Sequence, residues 1–421
     1  MSTAAATDVP EKKTPKKQSK LFANAQRLGR SLLLPIAVMP AAGILNRLGQ
    51  SDMLGAIPGF EQGASVIGAA GNAIFTWLPL LFAVGIAIGW AKKSDGTTAL
   101  AAVVGYMVMY EVWKVMSPIV LAGVEDANGD QKMINYGVLG GIVMGLVAAT
   151  MWQRFHRTKM PDFLGFFSGR RLVPILTAAA GLVIAVVMSF VYRYFDIALT
   201  AAGQAVADNA VIGGGIFGFA NRMLIPIGLH QLLNFFPWFQ LGSFNDGTTI
   251  WHGDIARFLN GDPTAGIFQT GFFPIMMFAL PAGALAIWRN AKPQNRKVVG
   301  GIMLSAALTS FVTGITEPLE YSFMFVAFPL YVIHAVLTGT SLALVNALGI
   351  RDGFSFSAGA IDFVLNLGKS EGGLWLIPIG LGYAVVYYFL FSFVIKKWNL
   401  RTPGREDDTI ADNTIDAATK P

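Results

Sequence analysis

The chain has 421 residues, of which 54% are hydrophobic and 13% charged, with a formal net charge of +6. Soluble domains carry roughly 25% charged residues, and so few charges cannot coat a 45.1 kDa chain with hydrated surface, so the composition is that of a polytopic membrane protein. Cysteine is absent, which removes disulfides, thiolate nucleophiles, cysteine-ligated zinc and iron–sulfur clusters. Lysine and arginine fall in blocks between apolar stretches rather than along a basic, aromatic stripe, which argues against nucleic acid.

Residues 1–27 read as a disordered basic tail. Lys12, Lys13, Lys16, Lys17 and Lys20 lie among Thr, Pro, Ser and Gln, without the apolar core and small-residue cleavage site of a signal peptide. Apolar stretches then follow at 31–49, 71–90, 98–121, 136–152, 173–195, 211–229, 266–288, 298–316, 320–348 and 374–396. Set against about 20 residues per crossing, these ten segments predict an all-α membrane bundle. Gly137, Gly141 and Gly145, spaced by four on the fourth segment, are a close-packing face for a neighbouring helix.

Basic residues cluster in the tail, at Arg154, Arg157, Lys159, Arg170 and Arg171, at Arg289, Lys292, Arg296 and Lys297, and at Lys396, Lys397, Arg401 and Arg405. The charge rule places all four clusters, and both termini, in the cytoplasm. Four segments separate the first cluster from the second, but three separate each later pair, and an odd count cannot return the chain to the same side. One segment in each later stretch is therefore expected to enter and leave on one face, or an uncounted segment crosses. The polar, Gly/Pro-interrupted stretches at 211–250 and at 311–320 or 350–370 are the candidates for two re-entrant hairpins, and paired interruptions of this kind point to a midplane substrate site.

The first interrupted stretch, GIFGFANRMLIPIGLHQLLNFFPWFQ, places Arg222, His230, Gln231 and Asn234 in apolar surroundings. The second, TSFVTGITEPLEYSF, carries Glu317 directly before Pro318, where the backbone is biased away from helix and a break is expected. A carboxylate at membrane depth costs several kcal/mol unless it is paired or faces water, so Glu317 and His230 are candidate site residues. Arg222 is left between neutralising a phosphoryl group and pairing with a carboxylate.

The remaining polar residues read more plainly. Glu111 and Lys114, three apart, are expected to form a local ion pair. His334 reads as a satisfied core histidine, His156 as a loop residue, and Asp362 as a cavity residue or a turn cap. His252, Asp254, Arg257 and Asp262 match no zinc or EF-hand spacing, so no metal is expected. Gly368-Lys369-Ser370 lacks the earlier glycine of a phosphate-binding loop, Phe363 standing in its place, and Gly353-Phe354-Ser355-Phe356-Ser357 misses the nucleophile elbow at its last position. No nucleotide or other cofactor is expected.

At GLHQ, GDPTAG, TGITEPLEYSFMFVAFPLYVIHAVLTG and LRTPGRED the chain closely resembles enzyme IIC of the bacterial phosphoenolpyruvate-dependent sugar phosphotransferase system, glucose family, over residues 20–408. GFANRMLIPIGLHQLLN, GFFPIMMFALPAGALAIW and GFSFSAGAIDF look most like the N-acetylglucosamine type, and Gln231 stands where glucose-type members commonly have a second histidine. The resemblance implies sugar uptake coupled to phosphorylation at a bacterial cell membrane, with glucose or glucosamine as alternative substrates. It implies a homodimer with a scaffold and dimerisation half (28–200), a sugar-binding half (201–400) and a polar tail (401–421). His230 and Glu317 match the histidine and glutamate near the reacting hydroxyl, and Arg222 a nearby arginine. The phosphoryl donor in this family is a cysteine of enzyme IIB, itself charged through enzyme IIA and a phosphocarrier protein. With no cysteine here, a separate IIB partner is implied. The competing readings are an ion-coupled sugar symporter, disfavoured by the paucity of buried acids, and a membrane-embedded hydrolase, which lacks a nucleophile or metal constellation.

Overall fold

A computed structural model describes residues 24, 27, 28, 31, 32 and 34–405, except 127, 128 and 248. The basic tail falls outside the described residues but for positions 24 and 27, as does the polar tail beyond 405.

The first helices are α1 (Met39–Leu48), α2 (Glu61–Thr76) and α3 (Leu78–Trp90). Helix α4 (Gly96–Val120) opens on a capping box, in which the Asp95 carboxylate accepts from Thr97 N at 2.9 Å and the Thr98 hydroxyl lies 3.3 Å from Asp95 N. Helices α5 (Val138–Phe155) and α6 (Leu172–Ala207) complete the first half, α4 packing along α6 and α3 along α5. The second contact needs the glycines: a Cβ on Gly141 would overlap the Pro79 carbonyl oxygen, and one on Gly145 would sit 2.7 Å from that of Ala83. Gly137 lies outside the helix, at its start, with φ of 51°.

The second half contains α7 (Ala210–Leu224), α8 (His230–Phe239), a two-stranded antiparallel hairpin, β1 (Ser243–Asn245) and β2 (Ile250–His252), and α9 (Asp254–Leu259). Then come α10 (Leu280–Asn290), entered through a wide helical turn at Pro274–Ala279, α11 (Arg296–Thr313), α12 (Glu317–Met324), α13 (Phe328–Ala347), α14 (Ala360–Asn366) and α15 (Leu376–Lys397). Helix α7 lies along α13, and α10 against α11 and α15.

Among the described residues, six helices (α4, α5, α6, α7, α13 and α15) are long and apolar enough to cross a membrane, and a seventh crossing follows if α2 and α3, bent by 51° at their junction, count as one. The expected ten segments thus differ in detail. The 320–348 stretch is two helices, parted at Phe325–Ala327, and 266–288 becomes helical only from Phe272. Both breaks lie inside apolar sequence, where hydrophobic periodicity carries no signal. The packing is inverted relative to a soluble protein. Val183, Val187 and Phe190 on α6 and Val385, Phe389 and Phe393 on α15 are exposed, whereas Thr177, Ser189, Thr338 and Ser341 are buried.

Candidate functional site

Two glycine breaks build the site. Helix α7 ends in a tight turn at Ile225–Ile227, Gly228 adopts φ of 73°, and α8 starts at His230. Helix α11 is closed by Gly314 at φ of 72°, and α12 starts at Glu317 with Pro318 in its first turn. A side chain at Gly314 would strike Ser357 Oγ and the backbone of Ala358 and Gly359, so this break is also where the 350–359 loop approaches closest. His230 and Glu317 are thereby the first residues of two short helices, each aimed at the space between them.

His230 Nε2 and Glu317 Oε1 face each other at 3.7 Å, too long for a direct hydrogen bond. His230 is buried and its Nδ1 has no hydrogen-bond partner among the described residues, while the Glu317 side chain keeps 31% of its surface accessible. All five residues singled out from the sequence, Arg222, His230, Gln231, Asn234 and Glu317, line one cavity of about 450 Å³. Asn234 donates to Gln231 at 3.3 Å and accepts from Asn221.

Arg222 is buried at the end of α7, and its charge is matched. It donates to Glu320 Oε1 at 2.7 Å, to the Thr316 hydroxyl at 3.1 Å and to Asn221 Oδ1 at 3.0 Å, and its guanidinium lies over the Phe272 ring. Of the two readings left open for it, the carboxylate pair is the one present. His334, fully buried, lies with Nε2 3.0 Å from the same Glu320 oxygen and Nδ1 2.9 Å from the Tyr387 hydroxyl. A carboxylate only accepts, so Nε2 carries the proton. With Arg222 and Glu320 cancelling, Glu317 is the carboxylate left facing the cavity.

Sequence reasoning passed over Glu320. Its one signal was its place three residues after Glu317 on the same helix. Asp362 does not line the cavity: it accepts from Ser355 N at 2.8 Å and Ser355 Oγ at 2.6 Å, and so shapes the loop whose Phe356 and Ser357 do. Asp254 is a buried anchor, accepting from Gly266 N, Phe268 N and Gln269 Nε2, and Arg257 pairs with Asp262 at 2.7 Å. Lys114 pairs with Glu111 at 2.8 Å, as expected. His156 stacks on Trp152. No group of three or more potential metal ligands occurs among the described residues.

Fold and site together define a helical protein of membrane type with a polar cavity enclosed at two helix breaks. The family described as phosphotransferase system, EIIC, matches residues 29–339. Similar proteins include the PTS system N-acetylglucosamine-specific EIIC component of Streptomyces coelicolor, 52% identical over 411 residues, which are 97% of this chain and 98% of that protein. The N-acetylglucosamine-specific EIICB component of Bacillus subtilis is 48% identical over 394 residues, 94% of this chain and 81% of the relative. The glucosamine-specific EIICBA component of the same organism is 46% identical over 400 residues, 94% of this chain and 61% of the relative. The chain belongs to the EIIC family of the phosphotransferase system.

Proposed function

We propose that this chain imports N-acetylglucosamine and releases its 6-phosphate into the cytoplasm, using the phosphocysteine of a separate enzyme IIB as donor. The observation that carries the reading is the opposition of His230 and Glu317 across a cavity also lined by Arg222, Gln231 and Asn234. The names of the Streptomyces coelicolor and Bacillus subtilis N-acetylglucosamine relatives support the choice of sugar.

In the reaction the sugar 6-hydroxyl oxygen attacks phosphorus, the new O–P bond forms as the S–P bond breaks, and the cysteine of enzyme IIB leaves as thiolate. Such transfers depend on positioning and charge stabilisation more than on covalent chemistry by the host protein. Glu317 takes the hydroxyl proton, and His230 orients that hydroxyl across the 3.7 Å gap. Asn234 and Gln231 bind other sugar hydroxyls, and Arg222 holds the cavity wall through Glu320 and Thr316. The product, now doubly charged, cannot return across an apolar barrier.

The same proposal reads 28–200 as scaffold and dimer interface and 201–400 as the sugar-binding half, with the termini cytoplasmic. Helices α8 and α12, with 10 and 8 residues, are too short to cross a bilayer and form the re-entrant tips that the basic clusters require. The test is Glu317→Gln, which abolishes phosphorylation of labelled N-acetylglucosamine by membranes supplied with phosphorylated IIB while leaving expression intact. Near-normal turnover in that variant, or accumulation of free sugar without the IIB partner, refutes the proposal.

A further inference from the structure

A second cavity, of about 360 Å³, adjoins the first, and Val138 and Phe239 line both. The two are in register along two helices. On α3, Leu78 and Pro79 line the second cavity and Phe82 the first; on α5, Val138 lines both and Ile142 only the first. The step from one to the other is one helical turn, about 5.4 Å. None of the phosphoryl chemistry above uses this space.

Its lining contains no Asp, Glu, Lys or Arg. The polar surface is mostly carboxamide, from Asn46, Asn72, Asn135, Gln240 and Asn260, with Thr76 and His252, beside the indole of Trp251, whose N–H donates to Asp246 at 2.7 Å. A carboxamide has two donors and an acceptor, and although Asn46 and Asn135 already accept one bond and Asn260 donates one, each keeps capacity for a ligand. That suits a neutral ligand with many hydroxyls and an amide. Gln240 is 8% exposed and packs over Gly137, where there is no side chain to fill the space. The side chains of Gln240 and Asn72 make no hydrogen bond within the described residues. Asn72 is half-buried, so both carboxamides are open to the cavity and free to bond a ligand hydroxyl, a bond worth about 0.5–1.5 kcal/mol net.

We propose that this cavity is a waiting site for the neutral sugar on its way in, one turn outside the reaction cavity and parted from it by Val138 and Phe239. The inference rests on the functional reading above. The basic cluster from Arg154 to Arg171 follows the far end of α5, so by the charge rule the start of α5, where this cavity lies, faces outward.

The experiment measures two orientations with labelled N-acetylglucosamine: uptake by intact cells, and phosphorylation by inverted vesicles given sugar and phosphorylated IIB from the cytoplasmic side. Gln240→Leu and Asn72→Leu each raise the KM for uptake about three- to tenfold and leave the KM in inverted vesicles unchanged, which also reports that the variants are folded. An unchanged uptake KM in both variants, or a parallel rise in both orientations, overturns the waiting site. Wild-type protein that phosphorylates no N-acetylglucosamine in either orientation overturns the functional reading, and this site with it.

Discussion

Arg222 and Glu320, 98 positions apart in the chain, meet at 2.7 Å with both side chains buried. The contact pins the end of α7, just before the turn that leads to His230, to the first turn of α12, which starts at Glu317. His334 and Tyr387 extend it to α13 and α15, so four helices share one polar knot.

Removing one side of that pair leaves the other charge buried and uncompensated. Glu320→Ala lowers stability by about 3–5 kcal/mol, read as a fall in the melting temperature of the detergent-solubilised protein. Replacing both partners, Arg222→Met with Glu320→Leu, returns most of that loss. A double variant as unstable as the single one would mean that the pair is not its source.

His230 behaves differently, since its Nδ1 has no partner to strand among the described residues. His230→Ala lowers phosphorylation about 100-fold or more with little change in melting temperature. Activity and stability falling together would assign the ring to the architecture instead.

The α3–α5 contact predicts opposite signs for one substitution at two glycines. Gly141→Ala drives a methyl group into the Pro79 carbonyl and costs about 1–3 kcal/mol. Gly301→Ala, on α11, meets nothing within 4 Å and gains about 0.5–1 kcal/mol from helix propensity. Thermal unfolding of the two variants side by side checks both.

Asp254 holds three donors, at 2.9, 3.1 and 3.0 Å. Asp254→Ala strands them in the core, at about 1–3 kcal/mol each before relaxation. Loss of folded yield is expected, with Asp254→Asn intermediate. Wild-type yield from the alanine variant would show that water reaches these groups.

The parts of the site readable in advance were those whose cost is local. A carboxylate followed by proline in an apolar run, and a histidine in another, announce themselves because neither is stable there without a purpose, and Glu317 and His230 do face each other. Glu320 carried the same charge but is explained by Arg222 and His334, partners that only folding brings near. The helix break at Phe325–Ala327 was invisible for a similar reason: its residues are as apolar as their neighbours, and Pro329 in the first turn of α13 was the one sign of a new start. Asp254 was weighed as a metal ligand because spacing cannot reveal that its neighbours' backbone N–H groups occupy it.

Helix α6 runs 36 residues without interruption, about 54 Å against the 30 Å or so of bilayer hydrocarbon. Only Asp208 and Asn209 separate it from α7, which carries Arg222 at its far end. It is a stiff rod ending in a two-residue joint. If α7 and the cavity wall shift against α4, along which the rod lies, that displacement is taken up by pivoting at Asp208–Asn209 or by bending the rod itself. A substitution that stiffens or loosens that joint is therefore expected to change the rate of carriage through such a shift, since neither residue lines the cavity.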